Sequence, residues 1–135
     1  MTLIVTYPGL SGNLNPMGPA PLSSARWAGD TLYISGQVGI DPATGAIVGP
    51  GVAEQTRQAL INFRSLVEAA GMTMSDVAKT TLFLVDLNAF AQVNAIYREF
   101  FTAPYPARST VGIVLTPSSL LFEIEGVVVR PRAAS

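Results

Sequence analysis

Two stretches of the chain carry apolar residues at the spacing of one helix face. The first begins at Val52, and its apolar positions are Leu60, Phe63, Val67 and Ala70. The second follows a candidate capping residue, Asp86 or Asn88, and its apolar positions are Phe90, Val93, Tyr97 and Phe100. Because residues three or four apart lie on one side of a helix, we predict two amphipathic helices. Gly71 directly follows the first stretch, where glycine is typical of a helix end.

Four other stretches are rich in the β-branched and aromatic residues that favour strands. They are TLYISGQVGI at 31–40, VAKTTLFLVDL at 77–87, STVGIVL at 109–115 and LLFEIEGVVVR at 120–130. The turn-forming sequence DPATGA follows the first of them, and TPSS separates the last two. The pattern predicts a single α+β domain over residues 1–135, with both helices on one face of the sheet.

The last predicted strand has two different faces. Side chains alternate along a strand, so Phe122 and Ile124 share one face while Glu123 and Glu125 share the other. We expect the helices to cover the apolar face and a contact between subunits to cover the other. Carboxylates in such a contact need partners, because an unpaired buried charge is costly.

Composition then removes whole classes of function. The chain has no histidine and no cysteine, so it lacks the usual zinc ligands, the Ser-His-Asp triad and a thiol nucleophile. We expect no metal site. The net charge is −1 and the pI is about 5.2, which indicates neither a nucleic-acid partner nor a polybasic membrane patch. With no apparent membrane span or signal peptide, we expect a cytoplasmic protein.

Arg108 is the first candidate for chemistry. It lies in PYPARSTVGI, where prolines restrict the backbone that leads into a strand. A guanidinium is permanently charged and offers paired donors in one plane, which suits a carboxylate ligand. The alternative is a surface arginine at the start of a strand.

Other polar residues allow two interpretations each. Glu123 could be a functional acid or an ordinary solvated carboxylate, and Glu125 shares its face. Asn94 lies on the apolar stripe of the second helix, where it could line a cleft or satisfy a neighbouring backbone. Ser35 with Gly36 is typical of a strand bulge or a close backbone approach.

Several segments together resemble one known family. SGQVGIDPATG, EQTRQALINFRSLVEAAG, VAKTTLFLVDLNAFAQVNAIYREFF, PYPARSTVGI and FEIEGVVVR are similar, in this order, to the YjgF/RidA family of small trimeric proteins. The resemblance implies a chorismate-mutase-like α+β fold and a homotrimer with three clefts between subunits. It also implies hydrolysis of reactive 2-imino acids, or their enamine tautomers, to 2-keto acids and ammonia.

The resemblance assigns roles to particular residues. The arginine of PARS, Arg108, matches the carboxylate clamp of the family, and Glu123, the first glutamate of EIE, matches the residue that activates water. Ser35, Gly36 and Asn94 match polar and glycine positions of the cleft.

Two positions depart from the familiar family pattern. Thr110 stands where many members have cysteine, so a thiol is not required here. Leu22 aligns with a cleft tyrosine of well-known members. Because an apolar wall replaces a phenol, we expect a preference for imino acids with larger apolar side chains.

The mechanism that this implies needs no cofactor, since a protonated imine is already activated toward water. Arg108 would hold the carboxylate and Glu123 would move protons, while backbone N–H groups near Ser109 and Thr110 help to fix the ligand. Two alternatives stay open: a keto-acid-binding protein without turnover, and a deaminase of larger enamines of the aminomuconate type. We disfavour a third, ribonuclease activity, because the chain is acidic and has no histidine.

Overall fold

A computed structural model describes residues 2–8 and 18–131 of the chain. Two α-helices lie in this part, α1 (Val52–Ala69) and α2 (Phe90–Phe100). Its strands are β1 (Ile4–Val5), β2 (Ala25–Ala28), β3 (Thr31–Val38), β4 (Val77–Leu84), β5 (Ala107–Gly112) and β6 (Phe122–Val129). Short 3₁₀ turns at Met74–Asp76 and Leu87–Ala89 precede β4 and α2. The four predicted strands and two predicted helices are confirmed, with bounds that differ by a few residues.

The strands form one mixed sheet in the order β1-β2-β3-β6-β4-β5. Neighbouring strands are antiparallel except β4 and β5, which are parallel and are connected through α2. The last strand of the chain, β6, therefore lies between β3 and β4, while β5 lies at an edge. Periodicity could not predict this order, because β5 and β6 are neighbours along the chain but not in the sheet.

Both helices pack on the same face of the sheet, as predicted. Phe122, Ile124 and Val128 of β6 are buried beneath them in the main core. Gly126 continues this inner face, and a Cβ atom there would stand within 2.6 Å of the Phe63 ring. Glycine at this position therefore lets the aromatic ring of α1 pack directly on the backbone of β6.

The predicted helix ends are confirmed in part. Gly71 has a φ of +79°, and its N–H donates to the carbonyl of Glu68 at 2.9 Å. This left-handed residue ends α1 as expected. Asp86 accepts a hydrogen bond from the N–H of Asn88 at 2.9 Å, but it caps the 3₁₀ turn rather than α2 itself, whose N-cap is Ala89.

The prediction that Phe90 belongs to the buried face of α2 is wrong. Phe90 is 45% exposed, because the first turn of α2 faces the edge strand β5 and not the middle of the sheet. Its ring lies against the Arg108 guanidinium, 5.5 Å from ring centroid to the guanidinium carbon. Ile96, one residue before Tyr97, is buried in the core.

The face of the sheet opposite the helices is the open face. Glu123 and Glu125 lie on it, as the alternation along β6 predicts. Tyr33 and Val129 on the same face are exposed, which leaves apolar area uncovered within one chain. No helix in the described ranges 2–8 and 18–131 is long and apolar enough to cross a membrane.

Replacing Phe63 and Phe90 by alanine should show, from the loss of stability, which of the two rings belongs to the core. Phe63→Ala removes a fully buried ring, so we expect it to lower the free energy of unfolding by about 3–5 kcal/mol. Phe90→Ala removes a half-exposed ring and should cost about 1 kcal/mol or less. Urea unfolding at one fixed protein concentration measures both. Equal losses in the two variants would contradict the correction at Phe90.

Candidate functional site

Arg108 lies on β5 with its side chain turned toward α2. Its Nη2 donates to the Asn94 side-chain oxygen at 2.7 Å. The guanidinium carbon is 4.8 Å from the centroid of the Tyr97 ring and 5.5 Å from that of Phe90. Residues 90, 94 and 97 follow the spacing of one helix face, so a single side of α2 holds the arginine in place.

The Tyr97 ring is itself fixed by the core. Its hydroxyl shares a hydrogen bond of 2.9 Å with Thr80 on β4, and its ring stacks on Phe101 at 4.4 Å between centroids. Burial raises the pKa of Tyr97, while the Thr80 hydrogen bond and the charge of Arg108 oppose the rise. A neutral ring that is anchored in the core therefore lies beneath the guanidinium.

A cavity of about 250 Å³ opens beside this arginine. We call it the arginine pocket; its lining residues are Asn94, Tyr97, Arg98, Tyr105, Pro106 and Arg108. In residues 2–8 and 18–131 the ion pairs are Arg57–Glu99, Arg64–Glu68 and Arg130–Asp30. Neither arginine of the pocket is among them, so both guanidinium charges are open to an anionic ligand.

Thr110 lies two positions after Arg108 on β5, so both side chains point to the same side of the sheet. It pairs in register with the buried Leu82 of β4, and it is not among the residues that line the arginine pocket. Because β5 is the last strand in the sheet order, some of its backbone N–H and C=O groups point away from β4. The structure thus leaves backbone groups near Ser109 and Thr110 available at the edge.

Glu123 lies on the open face, where Gly36 makes room for it. A Cβ atom on Gly36 would collide with the Glu123 carboxylate. The pairing of β3 with β6 shifts between Ile34 and Gln37, which confirms the strand bulge, one of the two interpretations of Ser35–Gly36. The half-buried position raises the pKa of the Glu123 carboxyl, and the neighbouring Glu125 charge raises it further.

Ser35 holds the segment before β2 to the sheet. Its hydroxyl donates to the Ser23 carbonyl at 2.6 Å, and its N–H donates to the Ser24 carbonyl at 2.9 Å. Leu22, which is 46% exposed, lies just before this segment. Leu22, Ser35 and Glu125 line a second, wider cavity of about 500 Å³ on the open face.

The predicted site residues therefore form two separate groups within one chain. Asn94, Arg108 and Thr110 face the helix side at the β5 edge. Leu22, Ser35, Gly36 and Glu123 belong to the open face, and we call this second group the glutamate face. The sheet lies between the two groups, and β4 lies between the strands that carry Arg108 and Glu123.

Sequence reasoning missed three residues around Arg108. Phe90 and Tyr97 both contact the guanidinium; Tyr97 also lies in the core, as predicted, whereas Phe90 does not. The third is Arg98, which lies four residues after Asn94 on the same helix face and lines the same pocket. This helical spacing was the available signal. Within the described part of the chain, no group of three or more acidic residues is placed to hold a metal ion.

Known proteins match both the sequence and the structure over most of the chain. A 2-iminobutanoate/2-iminopropanoate deaminase from Dermatophagoides farinae is 40% identical over 120 residues, which cover 89% of this chain and 94% of that protein. The solved structure of the YjgF gene product from E. coli is 41% identical, with a TM-score of 0.78, and the match covers 87% of this chain and 94% of that one.

A second solved structure, E. coli TdcF with bound serine, is 34% identical with a TM-score of 0.82, and the match covers 95% of this chain and 98% of that one. Residues 14–130 also match the sequence family described as Endoribonuclease L-PSP. These likenesses confirm the α+β fold that the motifs implied. The chain therefore belongs to the Endoribonuclease L-PSP family, which is the YjgF/RidA family that its sequence motifs indicated.

Proposed function

We propose that this protein hydrolyses reactive 2-imino acids, or their enamine tautomers, to 2-keto acids and ammonia. The observation that carries the proposal is the arginine pocket, where a guanidinium is oriented by Asn94 but has no carboxylate partner among the described residues. The deaminase name of the Dermatophagoides farinae relative supports the reaction. The serine bound in TdcF supports a small ligand that bears a carboxylate.

We propose further that the catalytic site is shared between copies of the chain in a homotrimer. Arg108 and Glu123 lie on opposite sides of the sheet, so one chain does not bring them together. The open face carries exposed apolar side chains, including Tyr33 and Val129. A neighbouring copy that covers this face would bring its arginine pocket to the glutamate face. In a closed trimer this contact occurs three times and forms three equivalent clefts.

In this cleft Arg108 binds the substrate carboxylate. One of its N–H groups already donates to Asn94, which fixes the plane of the guanidinium and leaves other donors for two parallel hydrogen bonds. Backbone N–H groups at the exposed edge near Ser109 and Thr110 bind the remaining polar atoms of the ligand. Such positioning before reaction reduces the entropy that the chemical step must lose.

Glu123 transfers the protons. The oxygen of a water molecule forms a bond to the imine carbon, and the carboxylate takes the proton that this water releases. The same proton then passes to the nitrogen. The carbon–nitrogen bond breaks as the new hydroxyl group gives its proton to the Glu123 carboxylate, so that the carbonyl forms and ammonia leaves, and Glu123 finally releases this proton to the solvent. The raised pKa of Glu123 suits both roles, because it makes the carboxylate a stronger base toward water and leaves a larger fraction of the carboxyl protonated when a proton must be donated.

Keto-acid binding without turnover is the alternative that the same pocket allows, since Arg108 would hold a keto acid equally well. Ribonuclease activity, despite the family description, is not part of the proposal. The chain is acidic and has no histidine for general acid and base catalysis.

Mixing two inactive variants should test the shared site. Arg108→Ala keeps Glu123, and Glu123→Gln keeps Arg108, so a mixed trimer contains some clefts with both groups. After joint refolding at equal amounts, random assembly should restore about one quarter of the parent activity. Imino acids are generated enzymatically, and free ammonia is followed. If Arg108 and Glu123 act within the same chain, mixing will restore nothing.

Light scattering coupled to size exclusion provides the companion measurement. We expect three times the 14.2 kDa chain mass for the parent and for both variants. A monomer at micromolar concentration would rule out the shared cleft.

Arginine replacement should separate charge from geometry. Arg108→Ala should lower kcat/KM by about 10²-fold or more, and Arg108→Lys should recover little because a point charge lacks the planar pair of donors. Arg64→Ala is the matched control, since Arg64 lies on α1 and pairs with Glu68 at 3.5 Å. Parent-like turnover by Arg108→Ala would show that the arginine is structural.

Glutamate replacement should separate binding from chemistry. Glu123→Gln keeps size and hydrogen bonding but cannot accept the proton, so we expect turnover to fall by roughly 10²-fold while keto-acid binding persists. Glu125→Gln, on the same face, should do much less.

The pH profile of kcat/KM gives an independent reading of Glu123. The base must be ionised to accept a proton, and burial and Glu125 raise its pKa. Activity should therefore fall as pH decreases through a pKa above the ordinary carboxyl value. Glu125→Gln should move this limb to lower pH, since it removes a like charge. Equal losses of turnover in Glu123→Gln and Glu125→Gln would overturn the assignment of proton transfer to Glu123.

A further inference from the structure

The arginine pocket contains a second cation that the proposed reaction does not use. Arg98 lies one helical turn after Asn94 on α2 and lines the same cavity as Arg108. It is exposed, and no hydrogen bond or ion pair joins it to another side chain in residues 2–8 and 18–131. The next residue, Glu99, pairs instead with Arg57 at 2.7 Å.

A structural role explains only part of this arrangement. Arg98 lies in the last turn of α2, where a cation interacts favourably with the carbonyl end of the helix dipole. That interaction accounts for a basic residue near the end of the helix. It does not account for the side chain lining a cavity whose other charged member is also an arginine.

The charges of the pocket are therefore uncompensated. Two permanent positive charges line about 250 Å³, and none of the residues lining the pocket is acidic. The chain as a whole has a net charge of −1, so this positive region is local. Two like charges beside one cavity repel each other, and a ligand with two negative groups would relieve that repulsion, whereas a monoanion would relieve only part of it.

We propose that Arg98 binds a second carboxylate, so that the preferred substrates are 2-imino acids with an acidic side chain. This inference rests on the proposed function, because it assigns the first carboxylate to Arg108. Arg108 contacts Asn94 and Tyr97 of α2, and Arg98 follows Tyr97 directly on the same helix, so both arginines border one cavity from different elements. The cavity is smaller than a drug-sized site and suits a small dicarboxylic acid.

This assignment differs from the expectation drawn from Leu22. An apolar wall at Leu22 favours substrates with larger apolar side chains, whereas Arg98 favours an acidic side chain. Within one chain, Leu22 lines the wider cavity with Ser35 and Glu125 and not the arginine pocket, whereas the proposed trimer would bring the glutamate face of a neighbouring copy to that pocket. Two ligands of equal length, with and without a terminal carboxylate, distinguish the two expectations.

Binding of 2-oxoglutarate and 2-oxopentanoate provides the direct test. Both are five-carbon 2-keto acids, and only the first has a second carboxylate. By calorimetry at low salt, the parent should bind 2-oxoglutarate about tenfold more tightly, and this ratio should shrink as salt is added. In Arg98→Gln the ratio should fall toward one. Arg98→Lys keeps the charge and should keep part of the preference.

Arg64→Gln is the matched control, because it removes a half-exposed arginine of α1 that lies outside the pocket. It should leave the ratio at the parent value. A parent ratio near one, or a ratio that Arg98→Gln leaves unchanged, would overturn the second anion position. A preference for 2-oxopentanoate would overturn it in favour of the expectation from Leu22.

Turnover separates failure of this inference from failure of the proposed function. Imino acids generated enzymatically from glutamate and from norvaline form the corresponding pair of substrates. If the parent hydrolyses both with equal kcat/KM, the deaminase function stands and the second anion position is wrong. If it hydrolyses neither but keeps the binding preference, the anion position stands and the protein is a dicarboxylate-binding member of the family.

Discussion

The parallel pairing of β5 with β4 is the constraint on which the site depends. It aligns Arg108 with Thr80, and Thr80 in turn fixes the hydroxyl of Tyr97. Since α2 is the segment that connects these two strands, the helix is held against the sheet at the place where the arginine emerges. One buried hydrogen bond and one strand register thus determine where the guanidinium lies and which ring supports it.

The same sheet order separates the two chemical groups. Because β6 enters the sheet between β3 and β4, its alternation commits Phe122 and Ile124 to the core and Glu123 to the open face. Arg108 faces the helices, so the sheet lies between anchor and acid. The exposed apolar side chains of the open face favour assembly, because contact with another copy would remove them from water. The same contact would bring the two separated groups together.

Electrostatics differ on the two sides. On the helix side, Arg98 and Arg108 line a cavity without an acidic neighbour, which favours anions. On the open face, Glu123 and Glu125 are close enough for one to raise the pKa of the other. Gly36 allows the Glu123 carboxylate to lie against the backbone of β3, where partial loss of water makes its charged form less stable. In the proposed trimer, an anion-binding side and a proton-accepting side would form complementary parts of one hydrolytic site.

The sequence by itself determined the fold class, the main elements, the alternation along β6 and the end of α1 at Gly71. These features depend on local periodicity and on where glycine is tolerated, which neighbouring residues decide. The motifs also identified Arg108, Glu123 and Asn94 as candidates. Only the tertiary structure decided that β4 separates β5 from β6, that Phe90 faces Arg108 and that Arg98 shares its pocket. Those facts depend on strand order and on the docking of α2, which arise from contacts between residues far apart in the chain and leave no periodic signal.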